Sequence, residues 1–211
     1  MGVNLANCEM GAMPVLLRTR IHPTVAALEE AGVAFTSYDG FYERAEDFED
    51  LYAAIARDLL ARARAEGNLL YAVPGSPLVA ERTVVLLRDM APGAGVELEI
   101  LPGMSFVEVM YARLGIDPID GLSIMDAEDV SRLRERPWQS LVITQVYRRQ
   151  VASEVKLALM ELYGDEYEVT YIHNLALPDE SLRSMPLYEL DRQPDIDHLT
   201  TLFVPAPPGQ P

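Results

Sequence analysis

The chain has 211 residues, of which 49% are hydrophobic and 24% charged, the composition of a globular protein large enough for one domain or two small ones. A formal net charge of -16 argues against general binding to nucleic acid or to anionic membranes, because both depend on Lys and Arg. No apolar run approaches the about 18 residues that cross a bilayer, and residues 1–13 lack the features of a signal peptide. We therefore expect a cytoplasmic protein. Cys8 is the single cysteine, which excludes an internal disulfide and a cysteine metal cluster.

The N-terminal half alternates short apolar runs with amphipathic segments. After a lead-in without periodicity, strands are predicted at residues 14–17, 33–38, 68–73 and 96–101, and helices at 23–30, 45–65, 77–90 and 106–114. The clearest helix is 45–65, where apolar residues recur every three or four positions. This alternation predicts an α/β fold with a mostly parallel sheet.

The pattern changes near residues 115–121, which resemble a linker or turn. Beyond it, helices are predicted at 126–134, with Asp126 as N-cap, and at 151–162. Strands are predicted at 140–147, 168–173, 185–190 and 199–204, and the Pro-rich tail 205–211 is expected to fray. Two lobes follow, residues 1–118 and 119–211, and a pocket between lobes is a usual place for a ligand.

The sharpest local feature is Pro74-Gly75-Ser76-Pro77, which follows a buried strand and precedes a helical pattern. In open α/β sheets ligands bind beyond the carboxyl ends of strands, and Gly75 lets a ligand approach the backbone. The same pattern recurs at 100–106, where Pro102-Gly103 is followed by Ser105. Two such turns from neighbouring strands would lie on one rim of the sheet. An ordinary strand-to-helix turn is the alternative for each of them alone.

The stretch 71–84, Tyr-Ala-Val-Pro-Gly-Ser-Pro-Leu-Val-Ala-Glu-Arg-Thr-Val, resembles the central cofactor loop of the tetrapyrrole (corrin/porphyrin) methylases. It is most similar to the branch found in YabN/MazG-type fusion proteins. Further stretches agree with that branch, and together they cover residues 15 to about 205: 18–25, 37–42, 102–106, 115–118, 144–147, 155–160 and 186–192.

The resemblance implies two α/β lobes, with a mostly parallel sheet in the first and a mixed sheet in the second. It also implies a homodimer that holds S-adenosylmethionine in the cleft between the lobes, with S-adenosylhomocysteine as product. Carried over by position, the residues implied in cofactor binding are Pro74, Gly75, Ser76, Val79, Ser105, Phe106, Gln145, Val146, Asn174 and Leu175. The contacts are implied to be made largely by backbone atoms.

Two positions depart from the family pattern. The opening strand with its Gly-x-Gly-Pro-Gly loop is not found in residues 1–13, which contain only Gly2 and Gly11. Ser76 stands where many members carry Asp and this branch often carries His. The second change is compatible with backbone-dominated binding.

Other chemistry-bearing residues have simpler interpretations. We expect His22 to be a turn residue, His173 a partly buried strand residue and His198 a surface residue, and their spacing indicates no metal site. Arg18 with Arg20, and Arg148 with Arg149, are either solvated arginines or part of a small basic pocket. The acidic run 43–49 only superficially resembles half of a MazG acidic motif and is expected to be a solvated helix face.

Two hypotheses follow. The first is an S-adenosylmethionine-dependent methyltransferase acting on a small-molecule acceptor of unknown identity. Methyl transfer from a sulfonium needs alignment more than acid–base groups, so no catalytic residue is assigned. The second is a non-catalytic ligand-binding or regulatory module associated with a MazG-type nucleotide pyrophosphohydrolase. The later loops favour the first hypothesis and the unfound opening loop favours the second.

Overall fold

The structure is a computed structural model that describes residues 13–22, 24–42 and 47–208. They form two compact units, one ending at Ser105 and one beginning at Phe106. The predicted lobe boundary between residues 118 and 119 stays a prediction. The expectations for residues 1–12, Pro23, 43–46 and 209–211 lie outside the described residues.

The first unit contains a three-stranded sheet whose order is β2-β1-β3, with every neighbouring pair parallel. Its mostly parallel sheet confirms the prediction. The elements are β1 (Val15–Leu17), α1 (Thr24–Glu30), β2 (Phe35–Ser37), α2 (Asp39–Tyr42), α3 (Phe48–Glu66), β3 (Leu70–Ala72) and α4 (Arg82–Ala94).

The long helix α3 shows how sequence produces this unit. The Asp47 carboxylate caps it by accepting a 3.0 Å hydrogen bond from the Asp50 amide, and this satisfies a backbone donor that would otherwise lack a partner. Its buried stripe packs into a core that includes Leu16 of the central strand. The helix ends at Gly67, whose φ of 89° suits glycine. The buried stripe consists of Leu51, Ile55, Ala56, Leu59 and Leu60.

The second unit contains a mixed five-stranded sheet of order β4-β5-β8-β6-β7. β4 and β5 are parallel, whereas β8 is antiparallel to β5 and β6, and β7 is antiparallel to β6. The mixed sheet is the one the resemblance implies. The elements are α5 (Phe106–Leu114), β4 (Leu122–Asp126), β5 (Ser140–Thr144), α6 (Arg149–Tyr163), β6 (Glu168–His173), β7 (Ser181–Pro186) and β8 (Thr200–Val204).

Three short 3-10 turns complete the second unit: Pro118–Asp120, Ala127–Arg132 and Leu187–Arg192. The core lies between the sheet and α6, whose Val151, Val155 and Leu159 are buried against Leu141 and Ile143 of β5. Among the described helices, none combines the length and apolar character needed to cross a membrane.

Two predictions for the first unit are wrong. No strand forms at 96–101, because alternation does not itself supply a neighbouring strand to pair with. The helix predicted from Pro77 begins instead at Arg82. Ala80 has a left-handed backbone with φ of 53°, a conformation that a right-handed helix cannot include.

Three predictions for the second unit are also corrected. The helix predicted at 126–134 is replaced by a short 3-10 turn at Ala127–Arg132 that follows the last residue of β4. Asp126 does cap this turn by accepting a hydrogen bond from the Glu128 amide. The strand predicted at 185–190 lies earlier, in the polar β7 at Ser181–Pro186. The strand at 140–147 stops at Thr144, because Gln145 has a φ of 63°.

Candidate ligand-binding edges

The carboxyl ends of all three strands in the first unit lie at one edge of the sheet. Leu17 is aligned with Ser37 on one side and with Ala72 on the other. The Arg18 amide extends the ladder by donating a 2.9 Å hydrogen bond to the carbonyl of Ala72. The residues that follow the strands therefore share this edge, where ligands bind in open parallel sheets.

A compact turn follows β3 at this edge. Gly75 has a φ of 74°, and the Ser76 hydroxyl accepts a 3.3 Å hydrogen bond from the Leu78 amide. The Ser76 carbonyl accepts a second one, also 3.3 Å, from the Val79 amide. Ser76 thus supports the turn with both its side chain and its backbone. The turn reverses the chain before α4 instead of starting it.

The structure brings the two Pro-Gly turns together. A methyl group built on Gly103 would lie 3.3 Å from the carbonyl carbon of Gly75 and 3.6 Å from the α carbon of Ser76. Its closest atom would be the Gly75 carbonyl oxygen. The turns therefore share a rim, as expected, but they meet through direct backbone contact and not as ends of neighbouring strands.

A polar cluster behind this rim was missed by the sequence analysis. The Arg18 guanidinium donates 2.9 Å hydrogen bonds from Nη1 to Glu81 Oε2 and from Nε to the Tyr42 hydroxyl. The Glu81 side chain is only 2% exposed, compared with 26% for that of Arg18. The sequence did offer one signal, because the acidic Glu81 directly precedes the apolar stripe of α4. No local pattern, however, indicates that its partner is Arg18, which lies 63 positions away.

Burial and pairing have opposite effects on this cluster. Burial raises the pKa of the Glu81 carboxyl more than the adjacent Arg18 lowers it. Burial alone would lower the pKa of Arg18, but Glu81 and Tyr42 raise it above its usual range. Burial raises the pKa of the Tyr42 and Tyr52 hydroxyls, and Arg18 partly offsets both increases. Arg18 is therefore held as a cation beside a carboxyl that resists ionisation.

Three buried oxygens of the same cluster make no hydrogen bond of ordinary geometry: Glu81 Oε1, Thr83 Oγ1 and the Tyr71 hydroxyl. They lie close together, since Thr83 lowers the pKa of both Glu81 and Tyr71. Thr83 is therefore near both groups without forming a hydrogen bond of ordinary geometry with either. A proton on Glu81 would give such a group a donor.

The second unit presents a comparable edge. Because β8 is antiparallel to both β5 and β6, the carboxyl ends of β5 and β6 point the same way. They are followed by Gln145 and Asn174, whose φ values are 63° and 52°. Left-handed backbone at non-glycine residues is costly and is concentrated at functional sites. The fold thus brings two of the predicted site residues to one edge.

The neighbours of these two residues are placed differently. The Val146 side chain is fully buried in the core of the unit, which leaves only its backbone for a ligand. Leu175 lies in a turn closed by a 2.9 Å hydrogen bond from the Leu177 amide to the Asn174 carbonyl. Asn174 donates to Asp179 at 2.6 Å, while its buried Oδ1 has no partner among the described residues.

His173 occupies the last position of β6 and is 7% exposed, as expected for a partly buried strand residue. Its Nδ1 lies 3.6 Å from Asp195 Oδ2, and its Nε2 lies 3.1 Å from Asp197 Oδ1 but out of line for a hydrogen bond. Asp195 is held mainly by Arg183, whose Nη2 donates at 2.6 and 2.8 Å. This arrangement is a polar network at the sheet edge, in which Arg183 and Asp195 form an ion pair.

The remaining candidate residues have ordinary structural or surface roles. His22 lies in a turn, where its Nδ1 is 2.7 Å from the Thr24 hydroxyl, and His198 is exposed. Arg20 forms an exposed pair with Glu29, and Arg148 and Arg149 are exposed. Within the part of the chain that the structure describes, no group of three His, Cys, Asp or Glu residues is arranged to hold a metal ion.

The first unit therefore gathers Pro74, Gly75, Ser76 and Val79 beside the loop that leads to Ser105, which is 3% exposed. In the second unit, Gln145, Val146, Asn174 and Leu175 follow strands at one edge, and Phe106 is the first residue of α5.

Comparison with known proteins agrees with this architecture. The solved uroporphyrin-III C-methyltransferase from Thermus thermophilus is similar in fold, with a TM-score of 0.67 at 21% identity over 92% of this chain and 82% of that chain. The Thermus thermophilus enzyme in complex with S-adenosylhomocysteine matches with a TM-score of 0.61 at 18% identity, over 92% of this chain and 86% of that chain.

A relative in sequence is the uncharacterized protein YabN of Bacillus subtilis (strain 168), which is 39% identical over 189 residues. The match covers 90% of this chain but only 38% of YabN, so the chain spans about two fifths of its relative. The family model for tetrapyrrole (corrin/porphyrin) methylases matches residues 11–191. On this match the chain belongs to the tetrapyrrole methylase family.

Proposed function

We propose that this chain is an S-adenosylmethionine-dependent methyltransferase of the tetrapyrrole methylase type that acts on a small-molecule acceptor. One observation carries the proposal. The turns assigned to the cofactor present their backbone in unusual conformations, with positive φ at Gly75, Gln145 and Asn174. Family membership supports the same reading, as does the similar fold solved with S-adenosylhomocysteine.

The residues present fit such a cofactor. Adenine, ribose and the amino-acid end each need hydrogen-bond partners, which irregular turns at strand ends supply through backbone amides and carbonyls. The absence of a side chain at Gly103 keeps its turn tight against Gly75. The buried Asn174 Oδ1 is an acceptor that has no hydrogen-bond donor among the described residues. Val146 can contribute only backbone atoms because its side chain is buried.

When bound, S-adenosylmethionine supplies a methyl group on a positively charged sulfur, which is itself the leaving group. The protein's task is then to hold an acceptor nucleophile in line and to exclude water. The structure assigns no residue to proton transfer. We propose that the turns at 74–79 and 102–105, with Phe106, Gln145, Val146, Asn174 and Leu175, bind and orient the cofactor.

Calorimetric titration with S-adenosylhomocysteine tests the proposal, and we expect micromolar binding to the wild type. A matched pair of variants, Gly75→Ala and Gly32→Ala, makes this binding test more specific. Both place a side chain at a positive φ, 74° and 69°, so both should lose about 1 kcal/mol of stability. Only Gly75→Ala should also weaken binding. Absence of heat and of a thermal shift with millimolar ligand would overturn the methyltransferase proposal.

A second candidate is a ligand-binding or regulatory module that works with a MazG-type nucleotide pyrophosphohydrolase. YabN extends well beyond the matched region, which leaves room in that relative for a further activity. The two candidates differ in methyl transfer. The module would not release S-adenosylhomocysteine from S-adenosylmethionine with any acceptor, and would change the pyrophosphohydrolase rate when mixed with a MazG-type protein.

We also propose a homodimer located in the cytoplasm. Light scattering after size-exclusion chromatography of the full chain should give twice the 23.5 kDa chain mass. A monomer mass at micromolar concentration would contradict the dimer.

A further inference from the structure

We propose that Arg18 and Tyr42 bind a carboxylate group of a ligand at the carboxyl edge of the first sheet, with Glu81 as the positioning residue that orients Arg18. The inference rests on the proposed function for placing a ligand at this edge. It adds the chemistry of the group recognised there and the residues that recognise it.

The first step is to identify the hydrogen-bond donors that remain available to a ligand. Arg18 donates a hydrogen bond from Nε to the Tyr42 hydroxyl and another from Nη1 to Glu81. The Tyr52 hydroxyl is a further polar neighbour of the guanidinium and accepts a weaker hydrogen bond from it. A guanidinium carries five N–H groups, so N–H donors remain after these three partners. The Tyr42 hydroxyl accepts from Arg18, so its own proton is available to another acceptor. A guanidinium N–H and a phenol O–H are thus left over at neighbouring positions, and both are donors.

The second step is preorganisation. Arg18 is fixed by three hydrogen bonds of 2.9 Å each, from its backbone amide to the Ala72 carbonyl and from its side chain to Glu81 and Tyr42. Its side chain keeps 26% of its surface exposed while that of Glu81 is buried. The guanidinium is therefore held in place while part of its surface stays accessible. Such preorganisation lowers the entropy cost of binding an anion.

The third step is the charge of the ligand. A planar carboxylate matches the guanidinium geometry and brings one negative charge. A phosphate would bring close to two charges at neutral pH, next to Glu81 and in a chain of net charge -16. We therefore commit to a carboxylate. It belongs either to the amino-acid end of the cofactor or to a separate molecule such as the acceptor.

The experiment uses three variants of the full chain. Arg18→Gln combined with Glu81→Gln removes the cation without leaving Glu81 unpaired. Tyr42→Phe removes one donor and keeps the contact between Arg18 and Glu81. Arg20→Gln is the matched control, because Arg20 lies at the same edge but pairs with Glu29 in solvent, its side chain being 59% exposed. Circular dichroism and thermal unfolding check that each variant is folded.

Each protein is titrated with S-adenosylhomocysteine, with its decarboxylated counterpart, with acetate and with inorganic phosphate. If the cofactor supplies the carboxylate, the double variant and Tyr42→Phe should bind S-adenosylhomocysteine about tenfold more weakly or worse. Binding of the decarboxylated counterpart should be unchanged. If a separate molecule supplies it, S-adenosylhomocysteine affinity is unchanged, while millimolar acetate binds wild type and Arg20→Gln but not the double variant.

The inference is overturned if neither pattern is seen, if both adenosyl compounds weaken equally, or if phosphate binds more tightly than acetate. If the wild type binds S-adenosylhomocysteine equally well with and without Arg18 and does not bind acetate, this inference is overturned and the methyltransferase proposal stands. If acetate binding depends on Arg18 but S-adenosylhomocysteine does not bind, the methyltransferase proposal is overturned and this inference stands.

Discussion

Gly103 lies directly against the peptide carbonyl of Gly75, on the side where a side chain would project. A methyl group at Gly103 would come within 3.3 Å of the Gly75 carbonyl carbon and closer still to its oxygen. Since the neighbouring group is backbone, it cannot rotate away as a flexible side chain would. The absence of a side chain at Gly103 therefore determines how closely the two Pro-Gly turns approach.

Gly103→Ala should consequently lower the free energy of unfolding by about 1–3 kcal/mol, the usual cost of overpacking. Gly93→Ala is the control, because nothing lies within 4 Å of its added methyl group and it sits in helix α4. That change should be neutral or stabilising by up to about 1 kcal/mol. Urea unfolding measures both. Equal stability of Gly103→Ala and wild type would mean that the turns can separate freely.

The protein is predicted to become more stable when the side chain of Gln145 is removed. Its φ of 63° costs a residue with a β carbon about 1–2 kcal/mol, while glycine loses about 0.5–1 kcal/mol more backbone entropy. Gln145→Gly should thus be more stable by up to about 1 kcal/mol, and Gln145→Val should be less stable. Under the proposed function, Gln145→Gly should bind S-adenosylhomocysteine like wild type. Weaker binding would show that the glutamine side chain takes part.

Glu81 should give the protein a measurable pH dependence. Burial raises the pKa of Glu81 above its ordinary value of 4.5, so the folded state holds this proton more tightly than the unfolded state. Its contribution to stability is fully present below pH 4.5 and declines as pH rises through the raised pKa. Other carboxyls titrate too, so the wild type should be compared with Glu81→Gln.

The stability of wild type relative to Glu81→Gln should fall as pH increases from 4.5 and then level off, measured by urea unfolding followed by circular dichroism. Glu49→Gln is a suitable reference, since its carboxylate is 64% exposed in a surface pair with Arg82. A difference that rises with pH would show that Arg18 outweighs burial at this carboxyl.

Lys156 and Asp191 should stabilise the second unit in a way that acid removes. Lys156 Nζ donates to Asp191 at 2.7 Å, and their side chains are 16% and 19% exposed. Burial alone would raise the pKa of Asp191, but Lys156 and Ser153 lower it. The stabilisation is present above the unfolded pKa of 3.8 and is lost as pH falls through the lower folded value.

We expect Lys156→Met to lose about 1–2 kcal/mol at pH 7, less than a fully buried pair would, and the loss should shrink near pH 3. Fluorescence of Trp138, the single tryptophan, reports unfolding of this unit. Arg132→Met is the control, because its pair with Asp129 is 79% and 43% exposed. A loss that does not depend on pH would assign the effect to packing of the lysine stem.

The sequence by itself determined the features that depend on local pattern. The α/β alternation predicted the parallel sheet, and three- and four-residue spacing predicted α3 and the bounds of α5 at Phe106–Leu114. The Pro-Gly turns were visible for the same reason, since proline and glycine restrict or widen backbone choice at single positions.

Only the tertiary structure decided which segments find partners. Residues 96–101 alternate like a strand, yet no neighbour pairs with them, whereas the polar β7 forms because β6 lies beside it. Glu81 is buried because the fold places it against Arg18, and Gln145 and Asn174 share an edge because β8 separates their strands. These are long-range relationships, and local periodicity contains no information about residues that meet only after the chain has folded.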